Sequence, residues 1–399
     1  MPIRPLRLSD QAELSRLHAA VGWAARSSAG WRWLAANPGL ADSLSPLGWV
    51  LTDAQDRAVA CVGNAVQRFW LNGRTLYGAT GFNLIVPPDQ RGGSRDLIGA
   101  FVQQPGVFAT WTFNANPRSA PLYSRHDMQP WPATHAVKLS WVVDGWACIQ
   151  GCIWRRLIRA APRTAPWLGE RLLNRRLARS PRLRLPAGIS ILTDLGDRSP
   201  YADFWTALAG EGRLVADRSP PVMRWRLSDP DQPRRPLVLA MHRGGRITGM
   251  AMAALSKASA IDPPFLEVLD LVALEDEAEA APALMQALID NARAMGAAKV
   301  RLQVVSPRLW DQLGPLVRRA RREGGWGHCH ARFAADAPDP TLWSPTPYDG
   351  DYALCLRPPP APFSPSAAPS VRRGFRPAGP RSASARPSPD RPPVRAAAC

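Results

Sequence analysis

Residues 116–128, NPRSAPLYSRHDM, decide how this chain is read. The run before them, 107–113, is rich in Phe, Val, Trp and Thr and has the composition of a strand. Residues 119–126 then predict a short helix carrying Tyr123, closed by a turn at Asp127. Upstream lies a second unusual stretch, residues 87–94, PPDQRGGS. Its Gly92 and Gly93 bare consecutive backbone N–H groups at the start of a helix over 95–102, a concave donor set for a pyrophosphate that the helix dipole reinforces. Arg91 and Arg95 add positive charge there. Two plainer readings stand beside these: a glycine turn that only starts a helix, and a tyrosine that only packs on a sheet.

Working outward, residues 3–8 alternate apolar and polar and predict an edge strand. Asp10 then caps a helix with Leu14, Leu17 and Val21 on one face. A short helix over 31–36 and a strand over 48–52 follow. The alternating run 59–71 meets Asn72-Gly73, a strong hairpin signal, and returns over 74–86. Downstream, 134–143 predicts a last strand closing the same sheet. A meander followed by a strand–helix–strand–helix crossover implies a mixed α/β sheet whose strands splay where the order switches, and ligands bind at such points.

Residues 3–143 resemble the GNAT superfamily of acyl-CoA-dependent N-acyltransferases. In that family a loop after the fourth strand carries (Q/R)-x-x-G-x-(G/A) and a later helix carries N-x-x-A-x-x-L-Y-x-x-x-G-F. Asn116, Leu122 and Tyr123 meet the second pattern, with Ser119 for Ala, Asp127 for Gly and Met128 for Phe. Gly92 and Ser94 fit the small positions of the first, where Asp89 replaces Gln or Arg. The resemblance implies acetyl-CoA as acyl donor, with its pyrophosphate on Arg91, Gly92, Gly93 and Ser94. It implies a carbonyl and pantetheine held by the strand backbone at Leu84 and Val86, and a positioning role for Asn116. Tyr123 would protonate the leaving thiolate, a task suited to a phenol whose pKa lies near 10. No general base is evident: His126 and His135 are the titratable groups nearby. A water relay, a base from the second half, or no chemistry at all remain open.

Residues 188–356 repeat the order with other letters: a hairpin over 237–255, a strand over 265–273, helices over 280–295 and 307–322, and closing strands over 326–333 and 351–356. The loop LEDEAEAA, 274–281, would repel a pyrophosphate, and Trp310 stands where the first copy has Tyr123. The expected architecture is therefore two tandem GNAT-like domains, each a mixed, splayed sheet flanked by helices. The first spans 1–145 with the acyl-CoA site, and a degenerate second spans 188–356. Arg224-Trp225-Arg226 resembles an element of tandem GNAT-like proteins that meets an anionic or sugar substrate; a solvated strand is the other reading.

At 399 residues the chain is long enough for two full cores. The net charge of +18 is segmental, since residues 155–184 and 357–399 carry most of it. That distribution, with lysine only at Lys138, Lys257 and Lys299, excludes a basic nucleic-acid face. Cys148 and Cys152 lack a matching His or Cys pair, so no metal site is expected. His328, Cys329 and His330 read as packing residues of a strand. Residues 146–187 form a basic amphipathic linker, read either as packing between domains or as lying on an anionic membrane surface through 146–180. Residues 357–399, rich in Pro, Arg and Ser, form an expected disordered tail. The opening residues read as carrying no secretory signal, so a cytoplasmic protein, in the second reading of the linker a membrane-peripheral one, is expected.

The reading that follows is an N-acyltransferase, foremost an N-acetyltransferase, moving an acyl group to a small-molecule or envelope-precursor amine. The alternatives are a Fem-type peptidyltransferase using aminoacyl-tRNA, and a non-catalytic binding protein of the same fold.

Overall fold

The Asn72-Gly73 turn forms with both residues at positive φ (49° and 74°), which matches the twist of a two-residue hairpin and locks the register Leu71↔Arg74. The two long strands it joins, β3 (Ala58–Leu71) and β4 (Arg74–Ile85), are the backbone of a first sheet. The protein is described by a computed structural model covering residues 1–90, 92–115, 119–131, 137–161, 165–178, 182–259, 261–323 and 328–356. The tail from 357 to 399 lies outside the described residues.

On one side of the hairpin stand β1 (Ile3–Pro5) and β2 (Gly48–Thr52). Between them run α1 (Gln11–Ala20), α2 (Ser28–Ala35) and the single turn α3 (Pro38–Ala41). Leu14, Leu17, Trp31 and Leu34 of these helices bury against one face of the sheet. Asp10 does not cap α1 as its position suggests. Its carboxylate instead takes a fork of two 2.8 Å bonds from Arg4, the stronger charge-assisted partner. The opposite face is covered by α4 (Gly93–Val102), through Leu97, Ile98 and Phe101, and by α5 (Ala120–Ser124) through Tyr123. Beyond β4 comes β5 (Ala109–Ala115), parallel to it, so the sheet is mixed. The short β6 (Gln129–Pro130) lies at the far edge.

The next strand corrects the sequence reading. β7 (Lys138–Val142), expected to close the first sheet, pairs instead with β13 (Lys299–Leu302) of the second. The second sheet runs β14 (Arg321–Glu323), β7, β13, β12 (Phe265–Ala273), β11 (Arg246–Ser256), β10 (Leu237–Arg243) and β8 (Ile189–Ile191). In exchange, β15 (His328–Phe333) leaves the second half and inserts between β5 and β6. Period-2 patterning fixes which face of a strand is buried, not which edge it joins. The exchanged strands therefore looked alike from sequence. The expected strand at 351–356 is likewise absent: Asp351–Ala353 is a single 3-10 turn.

Helices complete the second half. On the outer face of its sheet α10 (Ala280–Ala292), α11 (Pro307–Leu313) and α12 (Pro315–Arg319) bury Leu284, Leu288, Leu309 and Val317. Between the sheets lie α8 (Pro200–Ala209) and α9 (Pro220–Leu227), and β9 (Val215–Ala216) adds to the side of β3. An aromatic core fills this middle layer. Trp343 is its hub, with ring centroids 4.6 Å from Trp131, 4.8 Å from Trp111 and 5.2 Å from Phe69. The Arg224-Trp225-Arg226 element is helical, not a strand, because it belongs to α9. Trp225 stacks on Trp33 of α2 at 4.6 Å, Arg224 pairs with Asp197, and Arg226 lies over Tyr348. Of these contacts the Trp225–Trp33 stack ties the two halves together, joined by the bond from Arg226 to Gln67 Oε1 at 3.3 Å. Nearby, Arg26 and Asp229 form a buried 3.0 Å ion pair across the same junction.

The basic segment after β7 folds into α6 (Gly145–Ala160) and α7 (Ala165–Asn174). Among the described residues no helix is long and apolar enough to cross a membrane.

Candidate active site

β4 and β5 pair only from Gly78↔Ala109 to Thr80↔Trp111, then separate while each continues. The cause lies in β4. Phe82 and Ile85 face Gly63 and Cys61, so Asn83 and Leu84 oppose the single residue Val62, a bulge that puts Asn83 at φ 49°. A bulge bends its strand and raises local twist. Polar partners pin it in place. The Asn83 carbonyl accepts from the Cys61 thiol at 3.7 Å, and its side chain meets His18 Nε2 at 3.1 Å. His18 Nδ1 donates to the Leu14 carbonyl at 2.8 Å, which leaves Nε2 as the acceptor for the Asn83 amide. Burial lowers the His18 pKa and keeps that neutral tautomer; burial also pushes the Cys61 thiol up to about 12, so it is no nucleophile.

The wedge between the strands opens into a cavity of about 620 Å³. Leu84 and Asn83 line it from β4, Thr112 and Asn114 from β5, and Tyr123 from α5. The Tyr123 phenol is buried, shares the cavity with Thr112, and has its ring centroid 6.2 Å from that of His330. Burial first, and then the charge of Asp351, raise its pKa well above the usual phenol value. The group therefore holds its proton at neutral pH. Its helix is short because Asp127 takes a left-handed φ of 61°, which lets the Met128 N–H return to the Tyr123 carbonyl at 3.3 Å.

Asp351 is the residue that sequence reasoning missed. It is buried and lines the same cavity, and its 3-10 turn packs against both β4 and β5. Several bonds place the turn. The Asp349 carbonyl accepts from Trp111 Nε1 and Gln67 Nε2, both at 2.9 Å, and the Tyr352 hydroxyl donates to the Phe113 carbonyl at 3.0 Å. The Cys355 thiol donates to Asp351 Oδ2 at 3.4 Å.

The far end of the cavity belongs to the second sheet, with Lys138, Lys257, Phe265 and Arg301. Lys257 is buried, bonded to Asn174 at 3.3 Å and 3.6 Å from Glu170, and burial lowers its pKa. Arg301 pairs with Glu323 at 2.9 Å and stacks over Phe265. The wall is thus cationic but largely compensated.

The other expected residues lie elsewhere. Val86, Gly92, Gly93 and Ser94 do not line this cavity. Gly92 caps α4 at φ 104°, a conformation side chains resist, and a Cβ at Gly93 would stand 2.7 Å from Leu51 Cδ2. Arg91 and Asn116 lie outside the described residues, as does His135. His126 sits against Gly99 of α4, away from the cavity. Cys329 is buried in the aromatic core. Among the described residues no cluster of three His, Cys, Asp or Glu side chains has metal-binding geometry.

The matching wedge of the second sheet is filled. β12 and β13 pair from Phe265↔Lys299 to Val268↔Leu302, and two residues on, Asp270 receives Arg218 at 2.7 and 3.0 Å. Arg218 also reaches Thr346 and Asp349, all of them buried. The loop after β12 carries Glu275 and Glu277, paired with Arg308 and Arg243. A buried ion cluster occupies the space that is open in the first sheet.

No protein-family model and no curated protein matches this chain. Solved structures do. The chain is similar to a GCN5-related N-acetyltransferase from Anabaena variabilis, with a TM-score of 0.50 at 13% identity over 83% of this chain and 72% of that one. It is also similar to the Saccharomyces cerevisiae N-myristoyltransferase with bound myristoyl-CoA, with a TM-score of 0.52 at 8% identity over 89% and 85%. The chain has the GNAT fold, built on two mixed sheets flanked by helices.

Proposed function

We propose that this protein is an acyl-CoA-dependent N-acyltransferase, foremost an N-acetyltransferase, with one active site in the wedge of its first sheet. The observation that carries the reading is the meeting of Tyr123 and Asp351 in the cavity where β4 and β5 part. The pyrophosphate of the donor fits the amides of Gly92, Gly93 and Ser94 at the start of α4, joined by Arg91. Glycine at 92 leaves that approach free of a side chain, while glycine at 93 lets the start of α4 pack on Leu51. Pantetheine runs along the backbone at Leu84 and Val86, and Asn116 takes the positioning role that the sequence resemblance implies.

The acceptor is an amine, a small molecule or an envelope precursor, entering from the end lined by Lys138, Lys257 and Arg301. Its nitrogen attacks the thioester carbonyl carbon, forming the C–N bond. Asp351 accepts the amine proton; the C–S bond breaks, and Tyr123 Oη–H donates to the sulfur. The two proton steps help one another. Protonating Asp351 removes the charge that raises the phenol pKa, so Tyr123 becomes a better acid as the amine becomes a better nucleophile.

Calorimetric titration with acetyl-CoA and longer acyl-CoAs tests the reading. Ser94→Glu adds a carboxylate that the α4 N-terminus tolerates, so it is expected to fold and to bind at least roughly ten-fold more weakly through repulsion at the pyrophosphate. Tyr123→Phe is expected to bind as well as the wild type and to lose about 10²–10⁴ in turnover. A folded wild-type protein that takes up no acyl-CoA would sink the proposal.

A further inference from the structure

Soluble helices present apolar residues to the core and polar ones to water. α6 does the reverse on its outer side. Trp146, Ile149, Ile153 and Leu157 are 59%, 51%, 46% and 44% exposed. At 3.6 residues per turn they fall within an arc of about 80°. The packed side is different. Gly151 lies roughly 160° round the helix from the middle of that stripe. It is buried, and a Cβ there would stand 2.8 Å from Pro263. The stripe is thus the face turned away from the protein. α7, which packs beside α6, adds Trp167, Leu168 and Leu172, also exposed.

Charge on the hairpin itself is nearly all of one sign, and the neighbouring carboxylate of Asp262 is taken up by Arg155 at 3.2 Å. Across residues 145–174 the only acidic side chain is Glu170, and it serves Lys257 on the inner side of α7. Arg156 and Arg159 are exposed on one flank of the stripe, and Arg171 lies 5.1 Å above the Trp167 ring. An apolar stripe bearing indoles and bordered by guanidinium groups matches the interface of a bilayer with acidic headgroups. Apolar side chains enter the acyl boundary, tryptophans sit at headgroup level, and arginines meet phosphates. Contiguous exposed apolar surface of this kind marks an interaction site.

We propose that the α6–α7 hairpin docks this protein on an anionic lipid surface, lying in the plane of the membrane without crossing it. The inner side of α7 holds Lys257, which lines the cavity. Docking therefore sets the cavity one helix away from the headgroups. The proposal does not depend on acyl transfer.

Co-sedimentation of the full chain with vesicles tests it, using phosphatidylcholine alone against phosphatidylcholine mixed with phosphatidylglycerol. The wild type is expected to sediment with the mixed vesicles at low salt and to be released as salt rises. Ile149→Glu with Ile153→Glu changes only exposed positions and is expected to lower partitioning at least roughly ten-fold, at unchanged circular dichroism. Arg156→Glu with Arg159→Glu is expected to weaken it by more than about five-fold per site, the worth of one lost cation. Wild-type protein that stays in the supernatant at low salt overturns the proposal. So does an isoleucine pair variant that sediments like the wild type, because binding would then belong to another basic segment. A wild-type dimer in gel filtration that the isoleucine variant splits, without vesicle binding, would make the face a contact between copies and would equally refute it.

Discussion

The stacked pair Trp33–Trp225 is the most direct test of how the halves are joined. Its centroids are 4.6 Å apart at an interplanar angle of 10°. With ring planes about 3.5 Å apart at contact, that spacing requires an offset of roughly 3 Å, the favoured stacked geometry. Each indole also donates to the other residue's carbonyl, at 2.7 and 2.9 Å. Trp33→Ala removes a buried ring and one of these bonds, and an expected cost of about 3–5 kcal/mol follows. Trp225 is partly exposed, so Trp225→Ala should cost less, about 2–3 kcal/mol from lost area and one hydrogen bond. The backbone acceptors survive both substitutions. The coupling in a double-mutant cycle should therefore come from the stack, about 0.5–1.5 kcal/mol. Urea unfolding, followed by circular dichroism and fluorescence together, measures all four variants. The exchanged strands β7 and β15 also require both halves to unfold in one transition in each. Singles that cost under about 1 kcal/mol, additive effects, or two separated transitions in Trp33→Ala would refute this account.

Two further outcomes follow from local geometry. Asp127→Gly relieves a left-handed φ that costs an L-residue about 1–2 kcal/mol; offset by glycine's freer unfolded chain, it should raise stability by about 0.5–1 kcal/mol in thermal unfolding. His18 is buried with its pKa below the unfolded value near 6.5. The unfolded state therefore binds the proton first, and stability should fall as pH drops through that unfolded value while staying flat above it. His18→Gln should remove that slope in urea titrations across the range, and an unchanged slope would assign it to another group.

Legibility followed locality. The Tyr123 helix, the hairpin and the α4 start could be read because each rests on neighbours in sequence. Asp127 even occupies the position where the family pattern has glycine, and it carries the positive φ that glycine would. Asp351 could not be read. It comes from a stretch expected to be a strand, and it reaches the cavity only because Trp343 and Asp349 anchor the turn against β5. Arg224-Trp225-Arg226 was misplaced for a similar reason: its partners Trp33, Asp197 and Tyr348 are distant in the chain.

The sequence by itself determined a twofold succession of strands and helices, a phenol on a short helix, a glycine start to α4, and a basic amphipathic segment. These are consequences of residue periodicity and backbone preference within a few turns of chain. Only the tertiary structure decided that β7 and β15 change sheets, that one wedge stays open while Arg218 and Asp270 fill the other, and that the apolar stripe of α6 faces outward. Edge pairing, burial of charge and the choice of packed face are all settled by long-range contacts, and a pattern of alternation is the same whichever partner satisfies it.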